Sequence, residues 1–94
     1  MNEIVFCENQ EALTTSLLIA NKFNKRHSDI LRVIKNIQCS AEFSQRNFAL
    51  AEYIDHQGKL RPVYRITKDG LVFLVMGFTG KDAAKFKEDY INAF

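Results

Sequence analysis

The spacing of apolar and polar positions changes several times along the chain, and each change marks the edge of an element. Residues 4–7, Ile-Val-Phe-Cys, are β-branched and aromatic and predict a short strand, closed by the polar Glu8-Asn9-Gln10-Glu11. Thr14, Thr15 and Ser16 are three candidate N-caps ahead of Leu17–Phe23, where Ile19 and Phe23 stand four apart, so a short helix is expected. Asn24 and the cluster Lys25-Arg26-His27-Ser28 end it. Asn24 tolerates left-handed backbone, and Ser28 is placed to cap a second helix.

That second helix, residues 28–38, has the clearest pattern in the chain. At 100° per residue Ile30, Leu31, Ile34 and Ile37 gather on one side, with Ser28, Asp29, Arg32, Lys35 and Asn36 on the other. Two short helices joined by about four residues outline a helix-turn-helix. Residues 39–48 read as a loop anchored by Phe43 and Phe48. A β-hairpin follows, with arms Ala49–Asp55 and Leu60–Ile66 around the turn His56-Gln57-Gly58-Lys59. Leu50 and Ile54 share one side of the first arm; Leu60, Tyr64 and Ile66 share one side of the second, opposite Arg61, Val63 and Arg65. Pro62 lacks an amide donor, which predicts that the second arm is an edge strand. A basic hairpin after a helix-turn-helix is the arrangement called a wing.

The apolar run 71–78 could be a buried helix or a core strand, which periodicity does not decide; Thr67 as cap and Asp69 in the first turn favour a helix. Gly77 and Gly80 end it. Thr79 with Asp82 resembles a capping box for a last helix over 80–94, with Ala83, Phe86, Tyr90, Ile91 and Phe94 on one stripe. Lys87 falls inside that stripe and has to snorkel.

Composition narrows the class. Ninety-four residues, 47% of them hydrophobic with eight Phe and three Tyr, suffice for one domain with one core. A charged fraction of 26% and a single proline exclude a disordered or Pro-rich chain. The longest apolar run is far short of the roughly 20 residues of a spanning helix, and Met1-Asn2-Glu3-Ile4 shows no signal-peptide start. A cytoplasmic protein is expected. Cys7 and Cys39, two in all, have neither disulfide-framework nor zinc-ribbon spacing.

Net charge is only +2, yet its distribution is uneven. The window 22–35 holds Lys22, Lys25, Arg26, Arg32 and Lys35 against Asp29 alone, a local +4. The window 59–68 holds Lys59, Arg61, Arg65 and Lys68 with no acid, again +4, while Glu3, Glu8 and Glu11 make the first eleven residues acidic. Basic residues facing outward on one helix usually mean no more than a solvated face. Here both basic segments fall on the two elements with which a winged helix grips a duplex, which shifts the balance toward nucleic acid.

Other chemistry finds less support. His27, His56, Cys7 and Cys39 share no ligand spacing, so no metal is expected. His27, between Arg26 and Ser28, reads as a phosphate or solvent contact. Gly77-Phe78-Thr79-Gly80 fits a G-x-x-G loop, but a helix end followed by a helix start accounts for it better. No nucleophile with an oriented base appears, so neither an enzyme nor a cofactor is expected.

Four ordered blocks resemble a known family. They are Lys25-Arg26-His27-Ser28-Asp29-Ile30-Leu31-Arg32; Arg46-Asn47-Phe48 leading to Glu52-Tyr53; Tyr64-Arg65-Ile66-Thr67-Lys68-Asp69-Gly70; and Met76-Gly77-Phe78-Thr79-Gly80-Lys81 with Ala84, Phe86, Lys87 and Tyr90–Phe94. Together they resemble the phage regulatory protein Rha family, whose N-terminal domain also opens many phage antirepressors. The resemblance implies a prophage-encoded transcriptional regulator acting on DNA in the bacterial cytoplasm. It puts DNA contact on the Lys25–Ser28 block and Arg32, and a structural role on Tyr64, Asp69 and Gly70. Family members commonly continue past the last segment, so residues 1–94 are expected to be a single Rha-type DNA-binding domain cut from a longer chain.

The expected fold is therefore α+β, a winged helix-turn-helix-like domain with a small β-hairpin and a C-terminal amphipathic helix. It would bind double-stranded DNA through Lys25, Arg26, His27, Ser28, Arg32, Lys35 and Asn36, with Lys59, Arg61 and Arg65 from the hairpin. The alternative is a protein-interaction module, in which Phe86, Tyr90, Ile91 and Phe94 bind a repressor, another regulatory protein or a second copy.

Overall fold

A computed structural model of the chain describes residues 6–8 and 11–93, with side chains from Leu13 onward. In chain order the elements are β1 (Phe6–Glu8), β2 (Glu11–Thr15), α1 (Ser16–Lys22), α2 (His27–Lys35), α3 (Ala41–Asn47), β3 (Phe48–Ile54), β4 (Leu60–Thr67), α4 (Lys68–Met76) and α5 (Lys81–Asn92). The strands form an antiparallel sheet in the order β1-β2-β4-β3. The fold is α+β. Of the strand expected at 4–7, residues 4 and 5 lie outside the described part, and β1 covers the rest.

Two short helices joined by a four-residue turn form where they are expected, with local adjustments. Thr14 belongs to β2 and is buried; Thr15 is the cap, its hydroxyl accepting from the Leu18 N–H at 3.2 Å. Ser16 opens α1 instead of preceding it. Asn24 adopts φ 54°, in the left-handed region, and the turn closes with the Lys25 N–H donating to the Ala20 carbonyl at 2.8 Å. Ser28 does not cap α2. The helix starts one residue earlier, at His27, with Arg26 as N-cap and no side-chain hydrogen bond there, so Ser28 stands exposed in the first turn. At the other end α2 stops at Lys35, because the Asn36 Nδ2 donates to the Arg32 carbonyl (3.0 Å) and takes the C-cap.

Residues 41–47 form a helix where a loop is expected. Ser40 caps it by accepting from the Phe43 N–H at 3.1 Å, and the Glu42–Arg46 pair spans one turn at 2.7 Å. Only Phe43 of this helix packs as an apolar residue, so no amphipathic stripe announced it. Thr67 does cap α4, accepting from the Gly70 N–H at 3.1 Å, and the run 71–76 is helical. The capping box at Thr79 does not form: Gly80, at φ 104°, is the N-cap of α5 and supplies no side chain.

β4 is not an edge strand. It lies between β3 and β2, but β2 reaches only Arg65, Ile66 and Thr67. The Tyr64 N–H points away from β3, to Ser16, and the period of two gives Pro62 the same direction, beyond the end of β2. Pro62 therefore meets no ladder on that side.

One core holds the layers together. Ile19 and Ala20 of α1 with its C-cap Phe23, Ile30 and Ile34 of α2, Phe48 and Ile66 of the sheet, and Leu71, Leu74 and Val75 of α4 are buried together with Phe78, Ala83 and Phe86. Phe23 is the hinge pin of this packing, meeting Phe78 edge-on at 5.5 Å between centroids and Phe86 at 5.8 Å.

Candidate nucleic-acid interface

The outward side of α2 is set by Ile30 and Ile34, which point into the core and leave the polar positions in solvent. Arg26 is 87% exposed at its side chain and Arg32 66%. Lys35 and Asn36 are exposed at the far end of the helix, about 12 Å along the axis from His27. Arg32 is not idle: it donates to the Asp29 carboxylate, which also faces Arg26 at 3.8 Å. Asp29 thus partly offsets two of the cations. Pairs this exposed are worth roughly 0–1 kcal/mol and separate readily for a better anion.

Lys25 lies half-buried with its ammonium 4.9 Å from the Phe78 ring centroid. Lys25 and Arg26 line a groove together with Asp29, Val33, Phe78 and Thr79. The Gly77–Gly80 loop, which the sequence offers only as a helix junction, therefore stands beside the basic block. No local spacing could show this, since more than 50 residues separate the two.

His27 has a different place from the one expected. It is half-buried and its Nε2 lies 2.8 Å from the Ser16 hydroxyl, with its ring edge-on to Tyr53 at 6.2 Å. The same Ser16 oxygen accepts the Tyr64 N–H at 3.0 Å. Burial pushes the imidazole pKa below its ordinary value, which favours the neutral ring. His27 is a fastener between α1, α2 and the hairpin more than a free phosphate contact.

That junction brings the two basic segments together. Tyr53 pairs across the hairpin with Arg61, and Ala49 with Arg65, so His27 meets the hairpin on its arginine-bearing side. Arg65 is half-buried there. Arg61 is half-exposed and donates to Asp55 at 2.9 Å; Asp55 also accepts the Gln57 and Lys59 N–H groups at 2.8 and 3.0 Å. The Arg61 hydrogen bond, with the Lys59 amide second, holds the Asp55 carboxyl below its usual range. Lys59 is exposed at the tip.

The stripe expected on the last helix splits. Phe86 is buried in the core and offers no surface. Tyr90 is half-buried under Lys68, whose ammonium is 5.9 Å from its ring, Ile91 is exposed, and Phe94 lies outside the described residues. Lys87 snorkels as expected, its ammonium donating to the Phe78 carbonyl at 2.9 Å. An apolar groove does exist nearby, between α3, α4 and α5, lined by Phe43, Phe73, Met76 and Tyr90.

Among the described residues no group of three or more His, Cys, Asp or Glu is placed to hold a metal ion, and no helix is long and apolar enough to cross a membrane.

Comparison with known proteins adds ancestry to this geometry. A sequence model of the family described as phage regulatory protein Rha matches residues 14–94. An uncharacterized 22.8 kDa protein from the gp15-gp3 intergenic region of Salmonella phage P22 is 41% identical over 95 residues, covering 98% of this chain and 47% of that protein. An uncharacterized protein of Haemophilus influenzae is 41% identical over 90 residues, covering 93% of this chain and 52% of its own length. The chain thus spans about half the length of these relatives. No solved structure matches it.

Proposed function

Because the chain belongs to the phage regulatory protein Rha family, we propose that it serves phage regulation by binding double-stranded DNA, as a winged helix-turn-helix in which α2 is the recognition element and the β3–β4 hairpin the wing. The observation that carries this reading is the junction of Ser16, His27 and Tyr53, which ties the start of the basic helix to the arginine-bearing side of the hairpin. Arg32 and Lys35 face outward from α2 toward base edges or phosphates, and Lys25 and Arg26 flank its start, where the helix dipole favours an anion. Asn36 contributes through the helix end it caps, and His27 by holding the two elements in place.

The test is duplex of random sequence titrated at several salt concentrations. Binding should weaken steeply with salt, with a log–log slope of about −0.9 per phosphate neutralised. An Arg26→Ala, Arg32→Ala, Lys35→Ala triple variant should flatten the slope and lose most affinity; unchanged affinity would sink the reading. A second reading has its own observation. The groove of Phe43, Phe73, Met76 and Tyr90 suits an apolar helix from a regulatory protein or from a second copy, and a Phe73→Ser variant that loses a protein partner while keeping DNA would favour it.

A further inference from the structure

Of the seven large apolar side chains that stand exposed among the described residues, three lie on one face of the hairpin. β3 and β4 pair from Phe48↔Ile66 out to Ile54↔Leu60, whereas β2 accompanies β4 only from Arg65 to Thr67, so past Tyr64 the hairpin is a two-stranded arm. The period of two puts Leu50, Ile54 and Leu60 on the face that holds Phe48 and Ile66 at the base. At the base that face is core; toward the tip Leu50 is 67% exposed, Ile54 69% and Leu60 63%. Ile54 and Leu60 are direct cross-strand partners in the last pair before the turn.

Charge decides what can cover this face. From residue 52 to residue 61 the arm carries Glu52 and Asp55 against Lys59 and Arg61, so it has no excess charge to draw a polyanion. Arg61 belongs to the opposite face and pairs with Asp55, whose carboxylate also accepts the Gln57 and Lys59 amides. One acid and one base are left over, and among the described residues neither the Glu52 nor the Lys59 side chain has an ion partner. Glu52 shares the apolar face, between Leu50 and Ile54, while Lys59 stands at the tip beside Leu60. The Ile54–Leu60 pair lies between them, and they are about 10 Å apart along the arm. An apolar centre with a lone acid on one side and a lone base on the other is complementary to itself. That is the requirement of a twofold contact, in which one surface serves both partners.

We propose that this face joins two copies of the chain, their arms packed face to face and antiparallel across a twofold axis beside the Ile54–Leu60 pair. Ile54 and Leu60 then meet their own counterparts, and the Glu52 carboxylate of each copy meets the Lys59 ammonium of the other. The arginine-bearing side of each hairpin points away from the contact. The patch is smaller than a standard interface of about 800 Å² per partner, so the dimer dissociates within the micromolar to millimolar range. The inference is independent of DNA binding and stands or falls without it.

Sedimentation equilibrium on the wild-type chain and four variants tests it. Wild type should form a dimer. An Ile54→Ser, Leu60→Ser variant should dissociate roughly tenfold or more readily; both side chains are exposed, so its far-UV circular dichroism spectrum should match that of the wild type. Glu52→Lys alone and Lys59→Glu alone each bring like charges together at two symmetry-related points, and each should weaken the dimer roughly tenfold or more. The combined Glu52→Lys, Lys59→Glu variant inverts both partners and should return association to within about threefold of wild type. A wild-type chain still monomeric at roughly 1 mM would overturn the proposal. So would a dimer that the Ile54→Ser, Leu60→Ser variant leaves intact, which would move the contact to another face. A combined variant no better than either single reversal would overturn the antiparallel pairing of Glu52 with Lys59.

Discussion

The Thr67 hydroxyl donates to the Asn47 side-chain oxygen at 2.5 Å, across 20 residues of sequence, and the same hydroxyl accepts the Gly70 N–H at 3.1 Å. Asn47 is buried and spends its amide nitrogen on the Phe43 carbonyl at 2.9 Å. One side chain therefore fastens the end of α3 to the start of α4. An Asn47→Ala variant loses both bonds and leaves the Phe43 carbonyl without its side-chain donor. It should cost about 1–3 kcal/mol, seen as a drop of roughly 4–8 °C in the thermal midpoint for each kcal/mol lost.

Gly70 makes a second prediction at the same junction. A Cβ there would lie 2.9 Å from Ile66 Cγ2, 3.0 Å from the Asn47 carbonyl oxygen and 3.1 Å from Phe48 Cε1. Ile66 and Phe48 are core residues, so neither can swing aside. Alanine usually gains about 1 kcal/mol over glycine inside a helix, but overpacking of this kind costs about 1–3 kcal/mol. Gly70→Ala should therefore lower the urea midpoint, and a raised midpoint would contradict the packing.

A third prediction concerns pH. Burial lowers the His27 pKa in the folded chain, so the unfolded chain binds the proton more readily. The stabilisation is complete above the unfolded value of about 6.5 and is lost progressively as pH falls below it. Melting midpoints followed downward from neutral pH should decline in the wild type, and His27→Gln should remove that part of the decline.

Asp29 gives a fourth. It faces both Arg26 and Arg32 on an otherwise basic helix. Asp29→Asn frees both guanidinium groups and removes one negative charge, so affinity for random duplex should rise about three- to tenfold with a steeper salt dependence. Stability should fall by about 0.3–1 kcal/mol, because the acidic group in the first turn is gone. Lower DNA affinity in this variant would argue that the Arg26–Arg32 side does not face DNA.

Most of the helices and the hairpin were legible because their apolar residues recur with the period of the element. Ile30 and Ile34 announce α2, and the turn at Gly58 separates two alternating arms. The misreadings share a cause: a local signal outweighed by a partner distant in sequence. Thr14 reads as a cap but pairs with Ile66 in the sheet. Ser28 reads as a cap, yet α2 begins at His27, the residue that Ser16 holds in place. Phe86 reads as part of an exposed stripe and is instead taken up by Phe23. The exposed cations of α2 were foreseeable from helical period alone. The pairing of Asp29 with Arg26 and Arg32 is equally local, three residues away on either side, whereas the approach of the Gly77–Thr79 loop depends on tertiary placement and was not foreseeable.

The Ser16 hydroxyl, which meets His27 on one side and the Tyr64 amide on the other, also fixes a span. Helix and hairpin are held as the jaws of a calliper whose opening is set by one oxygen atom and two contacts of about 3 Å. On the proposed DNA-binding reading, a duplex in contact with both jaws would be measured as well as bound, since a groove too wide or too narrow would reach only one of them. Removing that oxygen, as in Ser16→Ala, leaves the charge of each jaw unchanged but takes away the partner of His27 and the acceptor of the Tyr64 amide that set the distance between them.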